Sequence, residues 1–123
     1  GGPFPCGQYR RRLMRPHLVV LLMTAVIGIS CAVAPPVPGV EDGSADPALV
    51  RGREIWGRSC SSCHAPDGSG GRGPSLEAVE VRIPVFGDQI DVVADGRGSM
   101  PGFGGRYSPS ELEAVVRYTR EVL

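Results

Sequence analysis

The chain is 123 residues long, which allows one small domain and excludes a second hydrophobic core. Its 13 basic residues, all arginine, balance 13 acidic ones, but four of the arginines lie among the first 15 residues. The part after residue 34 keeps nine arginines against the 13 acids, a net charge of about −4. It therefore lacks the basic excess that is typical of nucleic-acid binding, and we expect no nucleic-acid partner.

An almost wholly apolar run from Leu18 to Val33 follows the arginine cluster and is followed in turn by Ala34, Pro35 and Pro36. A charged start, an apolar middle and a small-residue end are typical of a secretory signal. We therefore expect export to the periplasm or to the extracytoplasmic face of a membrane. Met14 is a natural translation start, and residues 1–13 would then lie upstream of it.

The fate of this leading segment, residues 1–34, has three alternatives that the sequence leaves open. Ala32-Val33-Ala34 fits a cleavage site, although Pro35 directly after the cut is unfavourable. Ile29-Ser30-Cys31 resembles the end of a bacterial lipoprotein signal, in which the cysteine is lipidated. The apolar run also comes close to the roughly 20 residues of a spanning helix, so it could stay as a membrane anchor.

Residues 35–45 are rich in proline, glycine and acids and have no apolar period. This composition predicts a flexible tether. The folded domain should then occupy residues 46–123, beginning with Asp46 as a helix N-cap and Pro47 in the first helical turn.

The motif that carries the chemistry is Cys60-Ser61-Ser62-Cys63-His64, a C-x-x-C-H sequence, which is the attachment signal of c-type haem. Two thiols at this spacing on one helical turn can reach both vinyl groups of a porphyrin, and the adjacent histidine falls under the iron. We therefore predict one covalently bound haem c, attached through Cys60 and Cys63, with His64 as an iron ligand.

Two other interpretations of a C-x-x-C pair are a redox disulfide and half of a zinc site. A zinc site needs further ligands, but no cysteine or histidine follows residue 64, and His17 lies inside the signal. A redox disulfide would need a thioredoxin-like α/β pattern, which this glycine-rich chain lacks. Both interpretations are therefore less favoured than haem.

Around the motif, residues 46–122 resemble the class I cytochrome c family, in particular its small bacterial mono-haem members. The resemblance implies an all-α fold of three to five helices around one haem. Leu49, Gly52, Ile55 and Trp56 match one face of the family's first helix, and Gly52 is the small residue that lets the last helix approach. The stretch from His64 to Met100 is shorter than in mitochondrial members.

The resemblance also implies roles for residues after the motif. Gly73-Pro74-Ser75-Leu76 is similar to the family's Gly-Pro-x-Leu turn, in which the proline carbonyl accepts a hydrogen bond from Nδ1 of the ligand histidine, here Pro74 and His64. A short helix over Gln89–Asp95, ended by Gly96, leads to Met100-Pro101. A methionine in this position is the family's second axial ligand, and the only other methionines are Met14 and Met23.

The last element begins at Ser108-Pro109-Ser110-Glu111, a capping box with proline at the first helical position. Apolar and small residues then repeat at helical spacing to the C-terminus, and Tyr118 is expected near the crossing with Gly52 and Trp56. The predicted haem pocket consists of apolar residues from all of these segments: Leu49, Trp56, Leu76, Ile90, Val93, Leu112, Val116 and Tyr118.

These features imply electron transfer between membrane or periplasmic redox proteins by a single His/Met-ligated haem. With both axial positions filled there is no open site for a small-molecule substrate, so the resemblance favours a carrier over an enzyme. Two alternatives stay open: a haem subunit or domain of a larger oxidoreductase complex, and a five-coordinate haem enzyme or sensor in which Met100 does not bind iron.

Overall fold

The computed structural model describes residues 33–123. The prediction of a signal or anchor over residues 1–34, including the candidate lipidation site Cys31, falls almost entirely outside these described residues. Within residues 33–123, no helix is both long enough and apolar enough to cross a bilayer.

Residues 33–123 form five α-helices and one π-helical turn and no named strand. The all-α fold expected from the sequence is confirmed. Two of the helices are single turns, of which the one at 79–82 was not predicted. The elements, in chain order, are α1 Pro47–Ile55, the π-helical turn Trp56–Cys60, α2 Ser61–His64, α3 Val79–Arg82, α4 Phe86–Asp95 and α5 Pro109–Glu121.

The first helix, α1, and the last helix, α5, both begin with the caps that the sequence predicts. The Asp46 carboxylate accepts a hydrogen bond from the Ala48 amide at 2.8 Å, with Pro47 in the first turn of α1. At the start of α5, Ser108 and Glu111 form a reciprocal capping box. Each cap satisfies backbone amides that the first helical turn leaves unpaired, so both helices start at defined positions.

The first and last helices cross closely at Gly52. A Cβ atom on Gly52 would collide with the carbonyl oxygen of Ala114 and come within 2.9 Å of the Tyr118 Cβ. Ion pairs flank the crossing on the surface: Arg51 binds Glu111, and Arg117 binds Asp46 at 2.9 Å. The Arg51 guanidinium is the main cause that lowers the pKa of Glu111 to about 2.

Part of the predicted tether packs against this crossing. Val37 is only 3% exposed and joins the core formed by residues of α1, α5 and Trp56. The Pro35 carbonyl accepts hydrogen bonds from Arg53 at 2.9 Å and from the Tyr118 hydroxyl at 2.8 Å. Residues 34–37 therefore contribute to the folded unit, and its packing begins earlier than the boundary that the sequence predicts at residue 46.

We predict that Gly52→Ala destabilises the folded protein by about 1–3 kcal/mol, because the added methyl group overpacks the contact between α1 and α5. Denaturant unfolding measures the loss. Gly57→Ala is the matched control, since a Cβ there meets no atom within 4 Å. Equal stability of Gly52→Ala and wild type would contradict the close crossing.

Candidate functional site

The C-x-x-C-H motif spans the junction of two helical segments. Cys60 ends the π-helical turn, while Cys63 and His64 lie in α2. The Ser61 amide, at the junction, donates to the Trp56 carbonyl across the widened turn. Single π-helical turns of this kind occur frequently at functional sites.

Trp56 is the fully buried side chain that joins this segment to the core. Its indole Nε1 donates to the Pro66 carbonyl at 2.8 Å, which satisfies the one polar group of the ring. The ring lies 6.2 Å from the His64 imidazole and 6.3 Å from the Tyr118 ring, centroid to centroid. The crossing of α1 and α5 therefore supports the histidine through Trp56.

A hydrogen bond and close packing hold the imidazole of His64 in its orientation. Its Nδ1 lies 2.8 Å from the Pro74 carbonyl oxygen, to which it donates, and the side chain is only 8% exposed. The ring also packs on Gly73, where a Cβ would come within 2.7 Å of Cε1. Because the proton is on Nδ1, the lone pair of Nε2 is free to bind a metal ion.

Met100 lies in a loop that follows α4. Gly96 ends that helix with a φ of 82°, in the left-handed region that favours glycine. Met100 and Arg97 then exchange backbone hydrogen bonds of 3.0 and 3.1 Å. This short bridge fixes the backbone at Met100, and Met100 lines the same two cavities as His64.

Two adjoining cavities, the larger of about 560 Å³, lie between the motif, α3, α4 and the Met100 loop. This volume falls in the range of small-molecule and cofactor sites. Both cavities are lined mainly by apolar side chains, and residues common to the two are Cys60, His64, Leu76, Val79, Ile83, Val92 and Met100. Cys63 and Pro74 line the larger cavity, and Trp56 the smaller one.

The structure places half of the predicted pocket residues at these cavities. Trp56, Leu76, Val93 and Val116 line them, whereas Leu49, Ile90, Leu112 and Tyr118 do not. Leu49 and Tyr118 instead belong to the core at the helix crossing. Helical periodicity identifies an inward face, but it does not say whether that face meets another helix or a cavity.

Sequence reasoning also missed several wall residues. Val79, Ile83, Val92 and Val115 were not predicted, and α4 begins at Phe86, three residues before the expected start at Gln89. Pro84 and the valine-rich sequence around it disfavour a helix, so the sequence before Gln89 did not indicate one. An alternating valine pattern over residues 79–85 is the one feature that could have indicated a half-buried segment.

A polar pair lies in this otherwise apolar wall. Gln89 is 4% exposed, and its Nε2 donates to Thr119 Oγ1 at 2.9 Å. Arg120 Nε donates to Gln89 Oε1 at 2.6 Å. The nitrogen and the oxygen of the Gln89 amide therefore both have partners, which explains how a glutamine is buried in the cavity wall together with Val93 of the predicted pocket.

Cys60, the first cysteine of the motif, lacks the lowered thiol pKa of a redox-active pair. Burial, with a further contribution from Cys63, raises the pKa of the Cys60 thiol to about 11, so it stays protonated at neutral pH. Redox-active C-x-x-C motifs depend on a lowered thiol pKa. Residues 33–123 also contain no cluster of three or more histidine, cysteine or acidic side chains that could hold a zinc ion.

Comparison with known families agrees with this geometry. A family model of a cytochrome c domain matches residues 47–118, more than half of the chain. That family is described as cytochrome c oxidase, cbb3-type, subunit III. The chain belongs to the class I cytochrome c family. The all-α architecture is accordingly that of a small cytochrome c.

Two kinds of curated relative resemble this cytochrome c. The cbb3-type cytochrome c oxidase subunit FixP of Azorhizobium caulinodans is 30% identical over 77 residues, 58% of this chain and 26% of FixP. Cytochrome c6 of Microcystis aeruginosa is 31% identical over 71 residues, 54% of this chain and 88% of the relative. The chain thus matches about a quarter of FixP but most of cytochrome c6.

Solved structures of cytochrome cL share the fold. That from Hyphomicrobium denitrificans superposes with a TM-score of 0.54 at 25% identity, covering 59% of this chain and 46% of that one. That from Methylophaga aminisulfidivorans gives 0.55 at 18% identity, covering 77% and 70%. The second likeness, at so low an identity, concerns the fold alone.

Members of this family bind one covalent haem c, and so does this chain. The residues present fit that group. The motif supplies two thiols and an imidazole, and the cavity supplies an apolar lining. Arg72, Arg82 and Arg97 line the larger cavity with no acidic residue among its lining, and none forms an ion pair with a described residue. A haem carries two carboxylates, which such a rim suits.

Proposed function

We propose that this cytochrome c carries single electrons between redox proteins and is not an enzyme. In this proposal Cys60 and Cys63 form the thioether bonds, while His64 and Met100 are the axial ligands of the iron. The bound haem supplies the one-electron chemistry by cycling between its ferrous and ferric forms. The side chains around it hold it, exclude water and set how easily it is reduced.

One observation supports this proposal above the others. His64, with Nδ1 engaged by Pro74, and Met100, held by its bridge to Arg97, line the same apolar cavity as Cys60. The two ligand types that the family resemblance predicts therefore converge on the space next to a thioether-forming cysteine. Filled axial positions suit an electron carrier, because an open position would admit small ligands.

The cavity lining also favours the reduced form. Apolar walls solvate positive charge poorly, and the ferric group carries one more positive charge than the ferrous group. The soft, neutral thioether of Met100 favours ferrous iron as well. The Pro74 carbonyl, which accepts the Nδ1 proton of His64, makes the imidazole a stronger donor and partly offsets these effects.

A haem domain of a larger membrane oxidoreductase is a second candidate, and the match to FixP favours it. FixP is named as a subunit of a cbb3-type cytochrome c oxidase, and this chain matches only 26% of its length. The chemistry is the same in both candidates, and only the partner differs. If the chain co-purifies with an oxidase from solubilised membranes, the result favours the complex. If the chain purifies without an oxidase, the result favours a free carrier.

We predict that Met100→Ala lowers the midpoint potential and opens the iron to carbon monoxide and azide, because the sixth ligand is lost. Wild-type protein should resist both ligands and show the weak ferric charge-transfer band of a sulfur-to-iron bond. Spectroscopic titration measures each property. Pro101→Ala is the control. It should change the midpoint potential and ligand binding less, since Pro101 shapes the loop but has no side-chain atom that could bind iron.

The contrary outcome is a wild-type protein that binds carbon monoxide as fast as Met100→Ala. The sixth position would then be open. The electron-carrier proposal would give way to a five-coordinate haem enzyme or sensor.

We further propose export, with the haem domain at the extracytoplasmic face of a membrane. For this we predict that the wild-type protein stays largely in the membrane fraction, through an acylated Cys31 or through the apolar run. Cys31→Ser separates the two routes, because release of this variant into the soluble fraction would indicate that acylation of the thiol holds the protein. Fractionation of cells with a haem stain measures the change. Retention of Cys31→Ser in membranes would indicate an uncleaved helix, and a wild-type protein that is wholly soluble would contradict both anchors.

A further inference from the structure

The loop of residues 96–107 contains Met100, and hydrogen bonds of its backbone attach it to the C-terminal part of α4. The Phe103 amide donates to the Val93 carbonyl at 3.0 Å, and the Gly104 amide to the Ala94 carbonyl at 2.9 Å. A Cβ on Gly102 would lie 2.7 Å from the carbonyl oxygens of Ala94 and Asp95. These contacts place the loop relative to α4, but none of them reaches the segment that carries the cysteines.

The far end of the loop makes that connection through Tyr107. Its hydroxyl lies 2.7 Å from Ser59 Oγ, within hydrogen-bond distance. Ser59 immediately precedes Cys60 in the π-helical turn and lines the larger cavity. Among residues 33–123 this is the one hydrogen bond that joins the Met100 loop to the segment 56–64.

The ring of Tyr107 is itself held in place. It lies 6.3 Å from the Phe103 ring, centroid to centroid, and the Arg106 guanidinium lies 5.5 Å from its centroid. Its backbone amide donates to the Phe103 carbonyl at 3.0 Å. Phe103 is buried and lines the larger cavity. A positioned ring of this kind aims its hydroxyl at Ser59 at little cost in side-chain entropy.

We propose that the Ser59–Tyr107 hydrogen bond is a latch that positions Met100 against the iron. The inference rests on the proposed function, in which Cys60, Cys63 and His64 bind the haem and Met100 is its sixth ligand. Residues 56–64 then move with the haem. A bond from Ser59 to the Met100 loop therefore links the side of the site that holds the haem to the side that supplies the methionine.

The latch opposes loss of the methionine from the iron. For an external ligand to bind, Met100 must first dissociate and its loop must move away. A hydrogen bond that is broken in that opened form and intact in the closed form lowers the opened population by about two- to tenfold. Tyr107 and Ser59 thus act as positioning residues, and neither touches the iron.

The test is the rate at which azide binds to the ferric holoprotein, a reaction that is limited by methionine release. Tyr107→Phe should raise this rate by about two- to tenfold, and Ser59→Ala should do the same. The double variant should be no faster than either single variant, because both remove the same bond. In a Met100→Ala background, Tyr107→Phe should change nothing further.

The matched control is Tyr118→Phe. It removes a tyrosine hydroxyl with a hydrogen bond of similar length, 2.8 Å to the Pro35 carbonyl, but Tyr118 does not line the cavities. Its azide rate should equal that of wild type. If Tyr118→Phe raises the rate as much as Tyr107→Phe, or if Tyr107→Phe equals wild type, the latch is overturned while the carrier function stands. A wild type as fast as Met100→Ala would instead overturn the ligand assignment and the latch with it.

Discussion

At Gly52 the backbones of α1 and α5 approach so closely that a single added carbon would collide with the Ala114 carbonyl. This contact positions the rest of the haem site, because Trp56 follows directly after α1 and packs on Tyr118 of α5. The π-helical turn that begins at Trp56 carries the chain to Cys60, and α2 then holds Cys63 and His64. A loosened crossing would therefore alter the packing of His64 through Trp56.

The site combines rigid polar contacts with an apolar cavity. Each buried polar side chain near the cavity has a partner: the Trp56 indole, the His64 imidazole and the Gln89 amide all form hydrogen bonds of 2.8–2.9 Å. No buried polar side-chain atom in the described part of the chain lacks a partner. This arrangement leaves Nε2 of His64 and the thioether sulfur of Met100 as the atoms that could bind a haem iron in an otherwise apolar space.

Much of the fold could be predicted because its signals are local. The caps at Asp46 and Ser108, the terminator Gly96 and the small residue Gly52 each depend on a neighbour or on a single close contact, and each was found. The C-x-x-C-H motif and the Pro74 turn are recognisable for the same reason. The cavity wall was harder, since Val79, Ile83 and Val92 are brought together by the tertiary fold and no single periodic pattern in the sequence spans all three.

Buried polar contacts and long-range packing were beyond the sequence. Gln89 is polar and lies in a mainly apolar cavity wall, so only its partners on α5 explain why it is buried. Val37 lies in a proline-rich stretch with no period, and it is buried in the core where Arg53 and Tyr118 also bind the carbonyl of Pro35, two residues before it. The Ser59–Tyr107 bond joins residues 48 apart in the chain, a pairing for which no local pattern exists.

The central claim is that His64 and Met100 both bind the iron, and X-ray absorption at the iron edge of the ferric holoprotein tests it most directly. Sulfur and nitrogen scatter differently and bond to iron at different lengths, so the two donor types can be distinguished. The account predicts one sulfur atom together with nitrogen atoms bonded to the iron. A spectrum that fits nitrogen and oxygen alone would contradict it.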